Sequence, residues 1–407
     1  MTTSTVQDVN LADPGNFVPG VPHEMFDVLR RDAPVWFHPG TDETAGFWCI
    51  VKHADLVELS HDYPHFSSSQ GGITLYDSSE EELEMQRQMM LMMDPPQHTK
   101  LRLLVNKGFT PRMITRLEEH VRDVARAIVD GVGPKGECDF VVDVAAELPL
   151  QVIAEMMGVP GEDREKIFDW SNRLIGSEDP EYNVSAEEAI GAATEMFLYS
   201  TGLAAHKREH PADDIISTLL QAEVDGNTLS DVEFNLFFQL LAVAGNETTR
   251  NLISHGMLAL IEHPEEREKL MADRSLLPGA IDEMLRYASP VMYMRRTAMS
   301  DFDLRGQAIR AGDKVALWYI AANRDEEVFA DPHRFDITRP NRELVAFGGG
   351  GPHFCLGHNL ARLEIRIMFE ELLDRLPDIE LAGPPQRLRS NFINGIKHLP
   401  VRFTPTG

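Results

Sequence analysis

The sequence has little cysteine: three in 407 residues, Cys49, Cys138 and Cys355, far apart and with no Cys-x-x-Cys pair. So odd and dispersed a set is not a disulfide framework and suits a reducing cytoplasm. Positive charge is scarce too, 38 Lys and Arg against 65 Asp and Glu, for a net charge of −27. Nucleic-acid binding and adhesion to anionic membranes both draw on a basic surface, so neither is expected. Long apolar runs are missing. The most apolar region, Phe234 to Ala244, contains Gln239 and falls short of the about 20 residues that span a bilayer. The first residues, MTTSTVQDVNLADPGNF, have neither a basic start nor an apolar centre, so no signal peptide is expected. No repeat at solenoid spacing and no low-complexity linker interrupts the chain. With 43% apolar residues, the expectation is a cytoplasmic protein folded as one domain over 1–407, long enough for a large core.

What is present is mostly helical pattern. GFWCIVKH (46–53) has the look of a strand, 95–286 is helical with short breaks, and 291–345 turns to short strands and turns. A last helix is expected from just after Cys355 to about Leu376, then a hairpin turning at Asn394-Gly395. Ser230 and Glu233 form a capping box, the start of a helix that holds its pattern almost to Pro264. Roughly 30 residues at 1.5 Å each make about 48 Å. A helix that long, apolar on most sides at its centre, must cross the interior.

Four segments carry chemistry. AGNETTRN (244–251) sits mid-helix, with Gly245 costing about 1 kcal/mol there. Either the helix bends and turns Glu247 to solvent, or it opens beside an acid and a hydroxyl, Glu247 and Thr248, as a proton relay would need. In EMLRY, Glu283 and Arg286 share a helix face. In DPPQHTKLR, His98 and Arg102 are one turn apart and could clasp an anion, or form a solvated basic face. In AFGGGGPHFCLGHNLAR (346–362), glycines allow close approach to a flat ligand, and Cys355 precedes a helix whose free amides favour a thiolate. That thiol could be a nucleophile, a metal ligand or inert packing. Zinc needs about four ligands and finds only His353 and His358 nearby; haem iron needs one thiolate.

In this order, HTKLR, AGNETT, EMLR, DPHRF and GPHFCLG resemble the cytochrome P-450 family of haem-thiolate monooxygenases over nearly the whole chain. The resemblance implies a mainly α fold with smaller β regions, a triangular helical prism with haem b (iron protoporphyrin IX) between a long distal helix and a proximal one. It implies Cys355 as the iron ligand. It implies His98, Arg102, Arg296 and His353 at the two propionates, and Ala244, Phe347, Gly348 and Gly357 against the haem. Arg296 is preferred over Arg295 by its spacing to Asp301. Glu283, Arg286 and Arg334 match a structural charge triad. Glu247 and Thr248 match an acid–alcohol pair that delivers protons for oxygen activation. One departure is an extra glycine: Gly348 stands where the family has its aromatic, and Phe347 lies eight before the cysteine. With AGNETTRN and the NGIKH tail, this resembles a bacterial subgroup that hydroxylates sterol side chains and methyl-branched lipids at terminal carbons.

By position, the substrate pocket is expected from Ile73, Leu75, Leu240, Val243, Ala244, Met292, Met294, Phe392 and Ile393, all apolar. The methionines between Met85 and Met93 suit adaptable packing near an entrance. No flavin or nicotinamide motif follows the cysteine segment, so a ferredoxin with a separate NAD(P)H-dependent reductase is implied. Lys100, Lys107, Arg112 and Arg116 are a candidate dock for it. The competing readings are hydroxylation of a terpenoid or other secondary metabolite, a peroxide-driven peroxygenase, which Glu247-Thr248 argues against, and a non-enzymatic haem sensor, which needs no relay.

Overall fold

A computed structural model describes residues 5–406 except 43, 176–178, 183–184, 225 and 341–342. The chain divides into two compact units, the first made of 1–99, 282–355 and 388–395, the second of 100–281, 356–387 and 396–407.

The first unit is built on a five-stranded sheet: β1 (Val35–Gly40), β2 (Ala45–Ile50), β3 (Phe66–Ser67), β4 (Tyr293–Ala298) and β5 (Lys314–Trp318), in the order β1-β2-β5-β4-β3. Only β2 and β5 run parallel, with Phe47 beside Lys314 and Ile50 beside Leu317. Side chains alternate between faces. Phe47, Cys49, Ala316, Trp318 and Tyr293 pack on one side with Phe26 and Leu29. Trp48, Ile50, Val315, Leu317 and Ala298 pack on the other with Leu56 and Leu59 of helix α1 (His53–His61). Burial on both faces explains why GFWCIV is an unbroken apolar run. Helix α2 (Gln97–Val105) follows the two prolines and carries the chain into the second unit.

The second unit is mainly helical. Helices α3 (Glu147–Met156), α4 (Arg164–Ile175) and α6 (His358–Arg375) pack around α5 (Asp231–Glu262). The capping box opens α5: the Ser230 amide donates to Glu233 Oε2 at 2.9 Å, and the Glu233 amide donates to Ser230 Oγ at 3.2 Å. Its 32 residues are buried over most of their length. The helix runs unbroken through Gly245. A Cβ there would come within 3.2 Å of Ile153 on α3, so the glycine serves close helix packing.

The tail differs from the expected tight hairpin. Strand Ile396–His398 pairs with Gln386–Arg387, and the Leu388 amide donates to the Gly395 carbonyl at 3.0 Å. The connection is therefore the longer 389–394 loop. Asn394 is not a free turn residue: its amide donates to Pro290 and its side chain to the Ala288 carbonyl. Pro400–Arg402 then joins a separate three-stranded sheet with Glu137–Asp139 and Glu380–Leu381.

Candidate functional site

The candidate residues fall into two groups, one in each unit. In the first unit the Cys355 loop is closed by its own backbone. The Cys355 amide donates to the Phe347 carbonyl at 3.0 Å, and the Gly348 amide to Val345 at 2.9 Å. Phe347 also meets Phe354 edge to face. The extra glycine is absorbed here, with Phe347 remaining the residue that faces the cysteine across the loop.

The other glycines have a reason the sequence did not disclose. Gly349, Gly350 and Gly351 lie against the C-terminal turn of α1: a Cβ on Gly349 would stand 2.5 Å from Ser60 Oγ, and one on Gly351 would stand 2.2 Å from the Ser60 carbonyl oxygen. The close approach they permit is to this helix. A Cβ on Gly348, at φ +96°, would meet only ordinary contacts, 3.8 Å from the His353 carbonyl oxygen. Cys355 is half-buried, three residues before α6, for which Gly357 is the N-cap.

Beside this loop is a cationic group. His98, 2% exposed, stacks on His353 with ring centres 4.4 Å apart. His353 Nε2 is 3.1 Å from Ser68 Oγ, and Asp94 holds the 67–69 turn through the Ser68 amide (2.9 Å) and Ser69 hydroxyl (2.9 Å). The roles of Ser68 and Asp94 were missed in the sequence; only the hydrogen bonds around the buried Ser68 reveal them. Arg295 and Arg296 separate by strand alternation. Arg295 pairs with Asp77 at 3.2 Å. Arg296, 6% exposed, donates only to the Arg295 carbonyl and has no ion pair among the described residues. Burial pulls its guanidinium below the usual range, with Tyr319 and Asp94 acting the other way. A buried cation without a counter-charge is costly. The donor set of His98, His353 and Arg296 fits a carboxylate-bearing group with the half-buried Cys355 thiol as its metal ligand. Arg102 is half-buried one turn beyond His98 on α2.

The charge triad is real, but its third arm is different. Arg286 donates from Nε and Nη2 to the two oxygens of Glu283, both at 2.8 Å, and from Nη1 to the Asn323 and Pro332 carbonyls. Glu283 Oε2 then accepts from Arg339 Nε at 3.1 Å. Arg334 is exposed and supplies its backbone carbonyl to Arg286 and Arg339. Arg339 therefore corrects the expectation of Arg334. The fully buried Glu283 needs a partner that can itself be buried.

Two expected pocket residues are also corrected. Leu75 and Met292, each 1% exposed, are packed into the sheet core with Trp318 and Phe26. Ile73, Met294 and Phe392 keep part of their surface, while Ile393 is buried in a bridge with Val291.

In the second unit, Leu240, Val243, Ala244 and Thr248 lie at helical spacing along the middle of α5 and, with Gln239, Gly245 and His255, keep part of their surface while the rest of that stretch is buried. The Thr248 hydroxyl donates to the Ala244 carbonyl at 2.8 Å. Glu247 is not turned to solvent. It is 2% exposed and paired with Arg250, and burial raises its pKa against the pull of that guanidinium. On α6, Glu364 is buried beside Thr249, and burial pushes its carboxyl up to about 8.

Of the candidate dock, Lys100 is exposed, Lys107 reaches the Glu223 carbonyl and Arg116 lies 3.8 Å from Asp213. The side chain of Arg112 lies outside the described residues. The other two cysteines are free, and burial raises Cys138 to about 12. No group of three or more His, Cys, Asp or Glu among the described residues is arranged to hold a metal ion, and no described helix is long and apolar enough to cross a membrane.

Residues 186–377 match the family model described as cytochrome P-450. The chain is 44% identical over 402 residues to a steroid C26-monooxygenase of Rhodococcus jostii, covering 97% of this chain and 84% of that one. It is 45% identical over 389 residues to a methyl-branched lipid omega-hydroxylase of Mycobacterium tuberculosis, covering 93% and 90%. Among solved structures, a Mycobacterium marinum cytochrome P-450 in complex with pseudoionone superposes with a TM-score of 0.91 at 38% identity, covering 99% of this chain and all of that one.

Proposed function

We propose that this chain, which belongs to the cytochrome P-450 family, hydroxylates a terminal C–H bond of a steroid side chain or methyl-branched lipid. As a monooxygenase of that family it uses haem, O2, a redox partner and a hydrophobic substrate. One oxygen atom enters the C–H bond and the other leaves as water, with two electrons from the partner and two protons from solvent. The observation that carries the substrate class is the pair of relatives. One is named for C26 of a steroid and the other for the omega carbon of a branched lipid, and both positions end a branched saturated chain. The apolar stripe Leu240, Val243 and Ala244 suits such a chain end, since it offers burial and no polar partner.

Haem b, held through the Cys355 thiolate, supplies the oxygen activation. Arg296, His98, His353 and Arg102 hold its propionates; an unpaired buried guanidinium gains most from such an anion. Phe347, Gly348, Gly357 and Ala244 would be the further residues in contact with the haem. Glu247 and Thr248 move protons: burial raises the pKa of the Glu247 carboxyl against the pull of Arg250, a buried acid can exchange a proton, and the adjacent hydroxyl can relay it. Electrons come from a ferredoxin with a separate NAD(P)H-dependent reductase, docking at Lys100, Lys107 and Arg116. The protein works in the cytoplasm as one catalytic domain over 1–407. The pseudoionone complex of the solved relative favours one second reading, hydroxylation of a branched open-chain terpenoid.

The test adds a steroid with an intact side chain, a methyl-branched fatty acid and pseudoionone to the ferric protein, then locates the new hydroxyl after turnover. A shift of the haem band and oxidation at a terminal carbon are expected with the first two. No shift with either, or attack on a steroid ring, overturns the proposal.

A further inference from the structure

The relay reading uses two residues of AGNETTRN and leaves Asn246, Arg250 and Asn251 without a role. Arg250 lies one turn beyond Glu247 on α5 and pairs with its Oε2. Glu247 Oε1 is buried and has no hydrogen-bond partner among the described residues. Arg250 is itself buried, with Nη1 donating to Asn172 Oδ1 on α4 at 3.3 Å and Nε unpartnered. Asn251 pins the same turn: its Nδ2 donates to the Glu247 carbonyl at 2.9 Å, and its Oδ1 accepts the Ile396 amide at 3.1 Å. Both amide atoms of the fully buried Asn246 are unpartnered. The carboxyl is therefore held at one oxygen by a cation anchored to a second helix, and is free at the other.

We propose that Arg250 is the positioning residue of the relay, fixing one oxygen of Glu247 so that the other is kept for proton exchange. The inference rests on the reading of Glu247 as the relay acid. A carboxyl this buried would stay neutral by itself, because desolvation penalises the charged form. A neutral acid with no nearby cation gives up its proton poorly and cannot be recharged in step with turnover. Arg250 supplies the opposing pull without touching substrate or haem. The groups facing this pair are few. Tyr182, from the turn between α4 and the Ala186–Glu209 helix, lies within electrostatic reach of both Arg250 and Glu247, with Asp179 and Glu181 behind it. Lys397, on the strand beside Asn251, is paired with Asp179 and Glu181. Glu364 of α6 meets the neighbouring Thr249. Asn172 is the contact from α4, and α3 presents Ile153. Of all these, Arg250 is the one cation in contact with the Glu247 carboxyl.

The test reads the infrared band of protonated buried carboxyls in the resting ferric protein across pH, with Glu247 assigned by subtracting E247Q and Glu364 by subtracting E364Q. In R250Q the Glu247 midpoint should move up by roughly one pH unit or more. Product formed per NADPH near neutral pH should fall about five- to tenfold, with substrate affinity within about twofold. R250K should lie between wild type and R250Q in both readouts, and it carries the test if R250Q does not fold. An unmoved midpoint in these variants overturns the role of Arg250. Full coupling in E247Q would instead remove the relay reading beneath it, whereas E247Q uncoupled with R250Q fully coupled removes Arg250 alone.

Discussion

Around the Cys355 loop the buried charges are cationic, Arg296 foremost, while on α5 and α6 they include two carboxyls, Glu247, with Arg250 against it, and Glu364. The two groups meet desolvation differently. A guanidinium cannot readily shed its proton, so Arg296 stays charged and unsatisfied until an anion arrives. A carboxyl can take up a proton, so Glu364 holds one to about pH 8. The first region is thus left with a charge that an anion would satisfy, and the second with carboxyls that can take up protons. The triad of Glu283, Arg286 and Arg339 is the counter-example within the first unit: its charges are paired with one another, two arginines on one carboxylate, and every Arg286 nitrogen is engaged. It has nothing left over for a ligand.

The largest effect should come from breaking that matched set. Arg286→Ala leaves Glu283 buried beside one arginine instead of two, at a cost of about 3–5 kcal/mol, so little folded protein is expected. Arg334→Ala, at an exposed side chain, should cost no more than about 0.5 kcal/mol. Chemical denaturation of the two variants separates them, and equal losses would restore Arg334 to the triad.

Arg296→Gln sharpens the binding side. Losing a charge-assisted bond worth about 1.5–3 kcal/mol should speed haem transfer to an acceptor globin by about ten- to a hundredfold. Thermal stability of the haem-free chain should stay level or rise, because an unpaired buried charge is gone. A destabilised haem-free chain with normal haem retention would make Arg296 structural.

Much of this was legible in the sequence, and the failures have physical causes. The long α5 helix was readable because a capping box and a long apolar pattern mark its ends and middle. The β2 run was readable because a strand buried on both faces is apolar throughout. Cys355 stood out by its rarity and glycine-rich setting. Arg339 was invisible because its partner lies 56 residues away. The roles of Gly349 to Gly351 depend on Ser60 and His61, which only the fold brings near. Leu75 and Met292 look the same in sequence whether they face a core or a cavity. Ser68 belongs to no pattern at all, and Asp94 opens DPPQHTKLR without its own role showing there.

On the proton side, Thr248→Ala should leave substrate binding intact while product per NADPH falls on the order of tenfold, with the missing electrons recovered as peroxide. Unchanged coupling would leave α5 as a wall of the pocket alone. The effect that is smallest per pH unit concerns Glu364, whose folded-state pKa is raised by burial to about 8 from 4.5. The unfolded chain loses this proton near pH 4.5 and the folded chain keeps it to about 8. Stability should therefore fall with rising pH across that window, by at most about 1.4 kcal/mol per pH unit, and level off above it. Glu364→Gln should remove that part of the slope and be the more stable protein at pH 8. Parallel stability–pH curves would show that Glu364 is not held neutral by the fold.

The most direct measurement is the carbon-monoxide difference spectrum of the reduced protein. A thiolate-type band in the wild type, abolished in Cys355→Ala, is the predicted result. An imidazole-type band in the wild type, or a thiolate band that survives loss of Cys355, would contradict the assignment of Cys355 as the haem ligand.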